Sequence, residues 1–158
     1  MEKAYLHTPI GRLAIQGDKD GLHSVIFEES DVGAVTEIIP EPLLPAITQL
    51  KEYFNKTRTH FDLKLNPEGT AFQKKVWTQL SDIPFGKTAT YQQMANRLGD
   101  PKVIRAAASA NGKNPISIII PCHRVIGSDG SLTGYAGGLH RKKWLLEHES
   151  PITQGKLF

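Results

Sequence analysis

The sequence holds a single cysteine among its 158 residues, Cys122. One thiol rules out an internal disulfide, and the six histidines show no Cys/His or His/His spacing that would close a zinc site. No structural metal is therefore expected. No apolar run approaches the roughly 20 residues of a membrane span, and the N-terminus lacks the basic, apolar and small-residue succession of an export signal. Low-complexity tracts are absent too. These absences leave a globular protein, expected in the cytoplasm, with enough chain for one domain or two small ones.

The charge that is present is unevenly placed. Residues 1–64 carry 7 Lys/Arg against 10 Asp/Glu, whereas residues 65–158 carry 12 against 6. A basic C-terminal part fits a polyanionic partner, although a solvated basic face gives the same count.

Along the first 28 residues, "KAYLHT", "RLAIQG" and "HSVIFE" alternate as short strands between the turn signals "TPIG" and "GDKDG", which predicts an antiparallel meander. In "LLPAITQLKEYFNK" the spacing of Leu44, Ile47, Leu50 and Phe54 predicts a helix, and "HFDLKL" alternates as a further strand. Nothing in this part gathers nucleophiles, acids or bases. It reads as a scaffold domain over residues 1–64, followed by a Pro- and Gly-containing linker at 65–69.

From residue 70 the period becomes helical. "TAFQKKVWTQLSDI" sets Phe72, Val76 and Leu80 on one face; "TYQQMANRLG" follows with Thr90 as N-cap, and "DPKVIRAAASANG" opens with Asp100 as cap and Pro101 at the first helical position. Two short helices joined by "LGDP" form a helix-turn-helix pattern. The second helix is thin, with Ala106, Ala107, Ala108, Ser109 and Ala110 beside Lys102 and Arg105. It can read little sequence, but its backbone can approach a narrow groove closely. Close helix packing is the competing explanation, and Arg105 in the middle of the small residues favours nucleic acid.

"ISIII" reads as a buried strand delivering Pro121 and Cys122 at its end. A thiol reacts as the thiolate and needs a base, for which His123 is the neighbour. Adjacent residues of an extended segment point to opposite sides, so a turn or a bridging water would have to connect them. A lone buried Cys is otherwise an ordinary core residue.

The stretch "NPISIIIPCHRVIGSDGSLTGYAGGLHRKKWLLEHE", with its Pro-Cys-His-Arg-Val, resembles the active-site region of the O6-alkylguanine-DNA alkyltransferases. The resemblance runs back through "IPFGKTATYQQMANRLGDPKVIRAAASANGKNP" and covers residues 70–149. It implies an α+β protein: a small N-terminal RNase H-like α/β domain, then a helical winged-helix-like domain with a helix-turn-helix at residues 70–150. It implies direct-reversal repair without a cofactor, in which Cys122 takes a methyl or larger alkyl group irreversibly from O6-alkylguanine in double-stranded DNA. O4-alkylthymine is a second candidate substrate, and the protein is expected to act as a monomer.

Carried over by residue, the resemblance makes His123 the base acting through a water and Glu149 the group that orients it. Asn114 ties the helix-turn-helix to the segment bearing the thiol. Arg105 fills the space of the flipped nucleotide, and Tyr91 promotes rotation and hydrogen-bonds the guanine ring. Gln92, Ala106, Ala108 and Ser128 fall at the DNA surface. Tyr135 stacks near the base, the Ala136 N–H meets the guanine oxygen, and the Cys122 and Val125 carbonyls meet the exocyclic amine. Where some relatives have Ser, this chain has Ala136, so no side-chain hydroxyl contact is expected there. A non-catalytic lesion-binding or regulatory helix-turn-helix protein is the competing reading, and a cysteine hydrolase would leave the basic helix unexplained. The tail 151–158, "PITQGKLF", resembles the peptides that dock bacterial repair proteins on the sliding clamp, through Gln154, Leu157 and Phe158.

Overall fold

The computed structural model describes residues 1–28 and 33–150. The described residues form two compact units, one of residues 1–28 and 33–68 with 115–119, the other of residues 69–114 with 120–150.

In the first unit β1 (Glu2–Thr8), β2 (Gly11–Asp18) and β3 (Gly21–Phe27) form an antiparallel sheet in that order. Alternation sets its register: Ala4 faces Ile15, Leu6 faces Leu13, and Leu13 and Ile15 face Phe27 and Val25, so all six side chains bury together. A bulge at Gln16/Gly17 breaks the second ladder. Gly17 is required there, because a Cβ would come within 2.9 Å of the Gly21 carbonyl oxygen. Helix α1 (Leu44–Phe54) adds Ala46, Ile47, Leu50 and Tyr53 to this core.

Two predicted strands take other forms. "HFDLKL" keeps its alternating exposure but pairs only at Leu65, through Leu22 N–H to the Lys64 carbonyl (2.8 Å) and Asn66 N–H to the Leu22 carbonyl (2.8 Å). "ISIII" makes one bridge, Ile116 to Val25, and then turns, with Ile118 at φ 72°. Residues 116–120 are all buried, as the apolar run demanded. Burial alone does not select a strand when only one partner residue is available to pair with.

The second unit is mainly helical. Helices α2 (Ala71–Leu80) and α3 (Tyr91–Arg97) each begin with a full capping box, Thr70 with Gln73 and Thr90 with Gln93. Gly99 reverses the chain at φ 94°. The Asp100 side chain then accepts the Lys102 N–H at 2.9 Å, and Pro101 opens a single 3-10 turn before α4 (Ile104–Gly112). The second helix of the pair thus enters its α form three residues later than its proline suggested. The Trp77 indole N–H donates to the Ala110 carbonyl at 2.8 Å, pinning α4 to α2. Strands β4 (Ala89–Thr90) and β5 (Val125–Ile126) form a short parallel pair. Helix α5 (Leu139–Glu149) buries Lys142, Leu145, Leu146 and Glu149, a face at spacings of three and four. Among the described residues no helix is long and apolar enough to cross a membrane. Gln154, Leu157 and Phe158 lie outside the described residues.

Candidate active site

Cys122 opens a 3-10 turn, Cys122–Arg124, that follows the buried isoleucines and runs into β5. The residues after the thiol are therefore curled rather than extended, and Cys122, His123 and Arg124 are all buried. The alternation expected of an extended segment does not apply. Asn114, just past α4, donates from Nδ2 to the Ile120 carbonyl at 2.8 Å and so links the helix end to the segment entering the thiol. Burial drives the Cys122 thiol up to about 11, against the pull of Asn114 and Lys142. Roughly one thiol in ten thousand is then ionised at pH 7. Reaction at neutral pH requires a base.

The next residue, His123, is an imidazole held by a carboxylate. Its Nε2 lies 2.7 Å from Glu149 Oε2, with His123 fully buried. Arg124 grips the same carboxylate in bidentate fashion, Nε to Oε1 at 2.7 Å and Nη2 to Oε2 at 3.0 Å, and its Nη1 donates to the Ile83 carbonyl at 2.7 Å. Burial alone would raise the Glu149 carboxyl; His123 and Arg124 more than reverse this and hold it well below the usual carboxylate range. Burial lowers His123 against the attraction of Glu149. The imidazole is accordingly neutral at pH 7. Because an ionised carboxylate only accepts, the ring proton must sit on Nε2, which leaves the lone pair on Nδ1. Nδ1 is buried and has no hydrogen-bond partner in the structure.

A cavity of about 720 Å³ opens beside α3 and α4, lined in part by Tyr91, Arg105, Ala108, Asn111, Tyr135 and Ala136. Four of the DNA and pocket candidates named from the sequence besides Tyr91 thus share one concavity: Arg105, Ala108, Tyr135 and Ala136. Arg105 and Ala106 are exposed on α4, and Ser128 is exposed in the 127–131 turn. Gln92 is half-buried, its Nε2 on Asn96 Oδ1 at 3.1 Å. Val125 is wholly buried, and its N–H donates to the Cys122 carbonyl. The Tyr91 hydroxyl donates to the Thr133 carbonyl at 2.9 Å, so in this structure its proton serves the pocket wall rather than the cavity.

Two buried cations escaped the sequence reading. Arg124 lies inside the Pro-Cys-His-Arg-Val stretch, beside the residues that received roles. Lys142 is wholly buried, and its Nζ donates to the Thr133 (2.8 Å) and Gly134 (3.3 Å) carbonyls. Desolvation lowers its ammonium to about 8, opposed by Cys122. The signal was present in the spacing: of the basic run Arg141–Lys143, only Lys142 lies three and four residues before Leu145 and Leu146 on the apolar face. Among the described residues no three His, Cys, Asp or Glu side chains gather as metal ligands.

A buried thiol followed in its turn by a carboxylate-held imidazole, in one unit with a helix-turn-helix that lines a cavity, marks a helix-turn-helix protein with a candidate reactive cysteine. Comparison with known proteins agrees. The family described as 6-O-methylguanine DNA methyltransferase, DNA binding domain, matches residues 71–151, and its ribonuclease-like domain matches residues 1–67. The Methanosarcina acetivorans methylated-DNA–protein-cysteine methyltransferase is 46% identical over 156 residues, covering 94% of this chain and 98% of its own. Its Mycobacterium tuberculosis namesake is 44% identical over 147 residues, covering 91% and 89%. Among solved structures, Mycobacterium tuberculosis OGT in complex with DNA superposes with a TM-score of 0.84 at 41% identity, covering 100% of this chain and 99% of that one. The chain belongs to the 6-O-methylguanine DNA methyltransferase family.

Glu149→Gln leaves Arg124 buried without its anion and is expected to destabilise the protein by about 3–5 kcal/mol at pH 7. The wild-type carboxyl is depressed relative to its ordinary 4.5, so its contribution is complete above that value and disappears as the pH falls below it. His123, depressed from 6.5, acts in the same direction at higher pH, because only the unfolded chain takes up that proton. Urea unfolding of both proteins from pH 7 to pH 3 should show the stability gap narrowing below about pH 4.5.

Proposed function

We propose that the protein repairs duplex DNA by direct reversal, moving an alkyl group from O6 of guanine to Cys122 Sγ. The observation that carries this reading is His123 held through Nε2 to Glu149 in the turn that begins with the chain's single thiol. His123 Nδ1 takes the thiol proton through a water. The S–C bond forms as the C–O6 bond breaks, its electron pair stays with the guanine, and the guanine ring takes up a proton. The cysteine ends as a thioether and nothing regenerates it, so each chain reacts once.

A base inside a duplex must be turned out before it reaches a buried thiol, at a cost of a few kcal/mol. Arg105, exposed on the thin α4 and lining the cavity, takes the space that base leaves. Ala106, Gln92 and Ser128 meet the flanking backbone, with Ala108 at the cavity edge. Tyr135 stacks on the base and the Ala136 N–H meets its O6. Tyr91 serves the guanine ring after giving up its bond to Thr133. The relatives' names and the solved complex of Mycobacterium tuberculosis OGT with DNA support duplex DNA as the partner. The protein acts in the cytoplasm as a monomer, and the tail through Gln154, Leu157 and Phe158 docks on the sliding clamp.

Incubation with a duplex carrying O6-methylguanine should add one methyl mass to the Cys122 peptide and stop at one equivalent per chain. Tight lesion binding without an adduct would favour a lesion sensor instead. Arg105→Ala should slow repair of the duplex more than reaction with free O6-benzylguanine, since only the duplex needs flipping; equal losses would remove the assigned role.

Deletion of Leu157 and Phe158 should abolish retention on immobilised sliding clamp while leaving methyl transfer unchanged. Undiminished retention would eliminate the docking role.

A further inference from the structure

Asn111 stands in the last turn of α4, 3% exposed, and lines the same cavity. The other buried residues of that helix are alanines, Ala107 and Ala110, so packing alone does not call for an amide here. Its Nδ2 lies 3.5 Å from the Cys122 carbonyl, while its Oδ1 is shielded from solvent and has no hydrogen-bond partner. In this orientation the Cys122 carbonyl faces the amide's donor rather than a second acceptor. Asn111, a residue of the cavity lining, therefore holds an unsatisfied acceptor just beneath the surface, beside the backbone of Cys122. A buried acceptor in that condition is costly unless a donor, from water or a ligand, meets it.

The donor available from the proposed substrate is narrowly defined. Alkylation at O6 removes the hydrogen from N1, so the only N–H donors left on the pairing edge of the base belong to the exocyclic amine at C2. The Cys122 carbonyl, expected to meet that amine, already accepts the Val125 N–H and faces Asn111 Nδ2. We propose that Asn111 is a specificity residue, whose Oδ1 accepts a hydrogen bond from the exocyclic amine of the flipped O6-alkylguanine. The inference rests on the alkyl-transfer reading and adds to it the group that distinguishes a guanine lesion from the same lesion lacking the amine. A site built around a substrate N–H discriminates against an analogue without it, because the acceptor is then left unpaired.

The test compares single-turnover methyl transfer from two duplexes, one with O6-methylguanine and one with O6-methylhypoxanthine, which lacks the amine. Wild type, Asn111→Ala and Asn111→Leu are measured, with folding checked by circular dichroism; the alanine variant carries the test if leucine does not fit. Wild type should prefer the guanine lesion. Both variants should lose about fivefold to tenfold on O6-methylguanine and change little on O6-methylhypoxanthine, so the preference shrinks by that factor. Equal slowing on both duplexes would make Asn111 a structural residue and overturn the proposal, as would an unchanged preference. A wild-type protein that transfers methyl from neither would instead refute the alkyl-transfer reading itself.

Discussion

The carboxylate of Glu149 is the charge around which the site is arranged. It is the last residue of α5, at the end of a helix whose dipole is negative, so the helix gives its anion no help. Solvent gives none either, since Glu149 is only 3% exposed. The compensation comes from the turn after the cysteine: Arg124 binds both oxygens, and His123 donates to one of them. Once those bonds form, the imidazole has one available tautomer and the turn that starts at Cys122 is fixed to α5. The stability of the fold and the basicity of Nδ1 thus share one set of contacts.

A second set shapes the cavity wall. The Thr133 carbonyl accepts from both the Tyr91 hydroxyl and the Lys142 ammonium, which also reaches Gly134. This ties the start of α3 and the face of α5 to the loop that presents Tyr135 and Ala136. Lys142 sits 5.7 Å from the Tyr91 ring centre, where its charge is also attracted by the aromatic face. Its lowered value and the raised value of Cys122 have the same origin, because the interior that disfavours an ammonium disfavours a thiolate equally.

Much of the fold was legible because it rests on local rules. The meander came from alternation and turn residues, α2 from the Phe72, Val76 and Leu80 face, α3 from its Thr90 cap, and the reversal before α4 from Asp100 with Pro101 after "LG". The isoleucine run could not be read in the same way: apolar character fixes burial, but it announces neither the single bridge at Ile116 nor the positive φ of Ile118. At the site, the resemblance pointed to residues whose side chains bear on a base or a proton. Arg124 and Lys142 were passed over because surface cations and buried ones look alike until the face of the helix or turn is known. Asn111 was hidden by its position inside a run of small residues, where only the three-dimensional course of α4 shows it beside the Cys122 carbonyl.

Methyl transfer as proposed needs a His123 that is neutral at pH 7, protonated on Nε2 and bare on Nδ1. Nitrogen-15 NMR of protein labelled at histidine reads this directly. A protonated-type shift for His123 Nε2 and an unprotonated-type shift for Nδ1 are expected at pH 7, and burial should keep the imidazole neutral below 6.5, the ordinary histidine value. Two protonated-type nitrogens at pH 7, or a proton on Nδ1 instead of Nε2, would contradict the proposed mechanism.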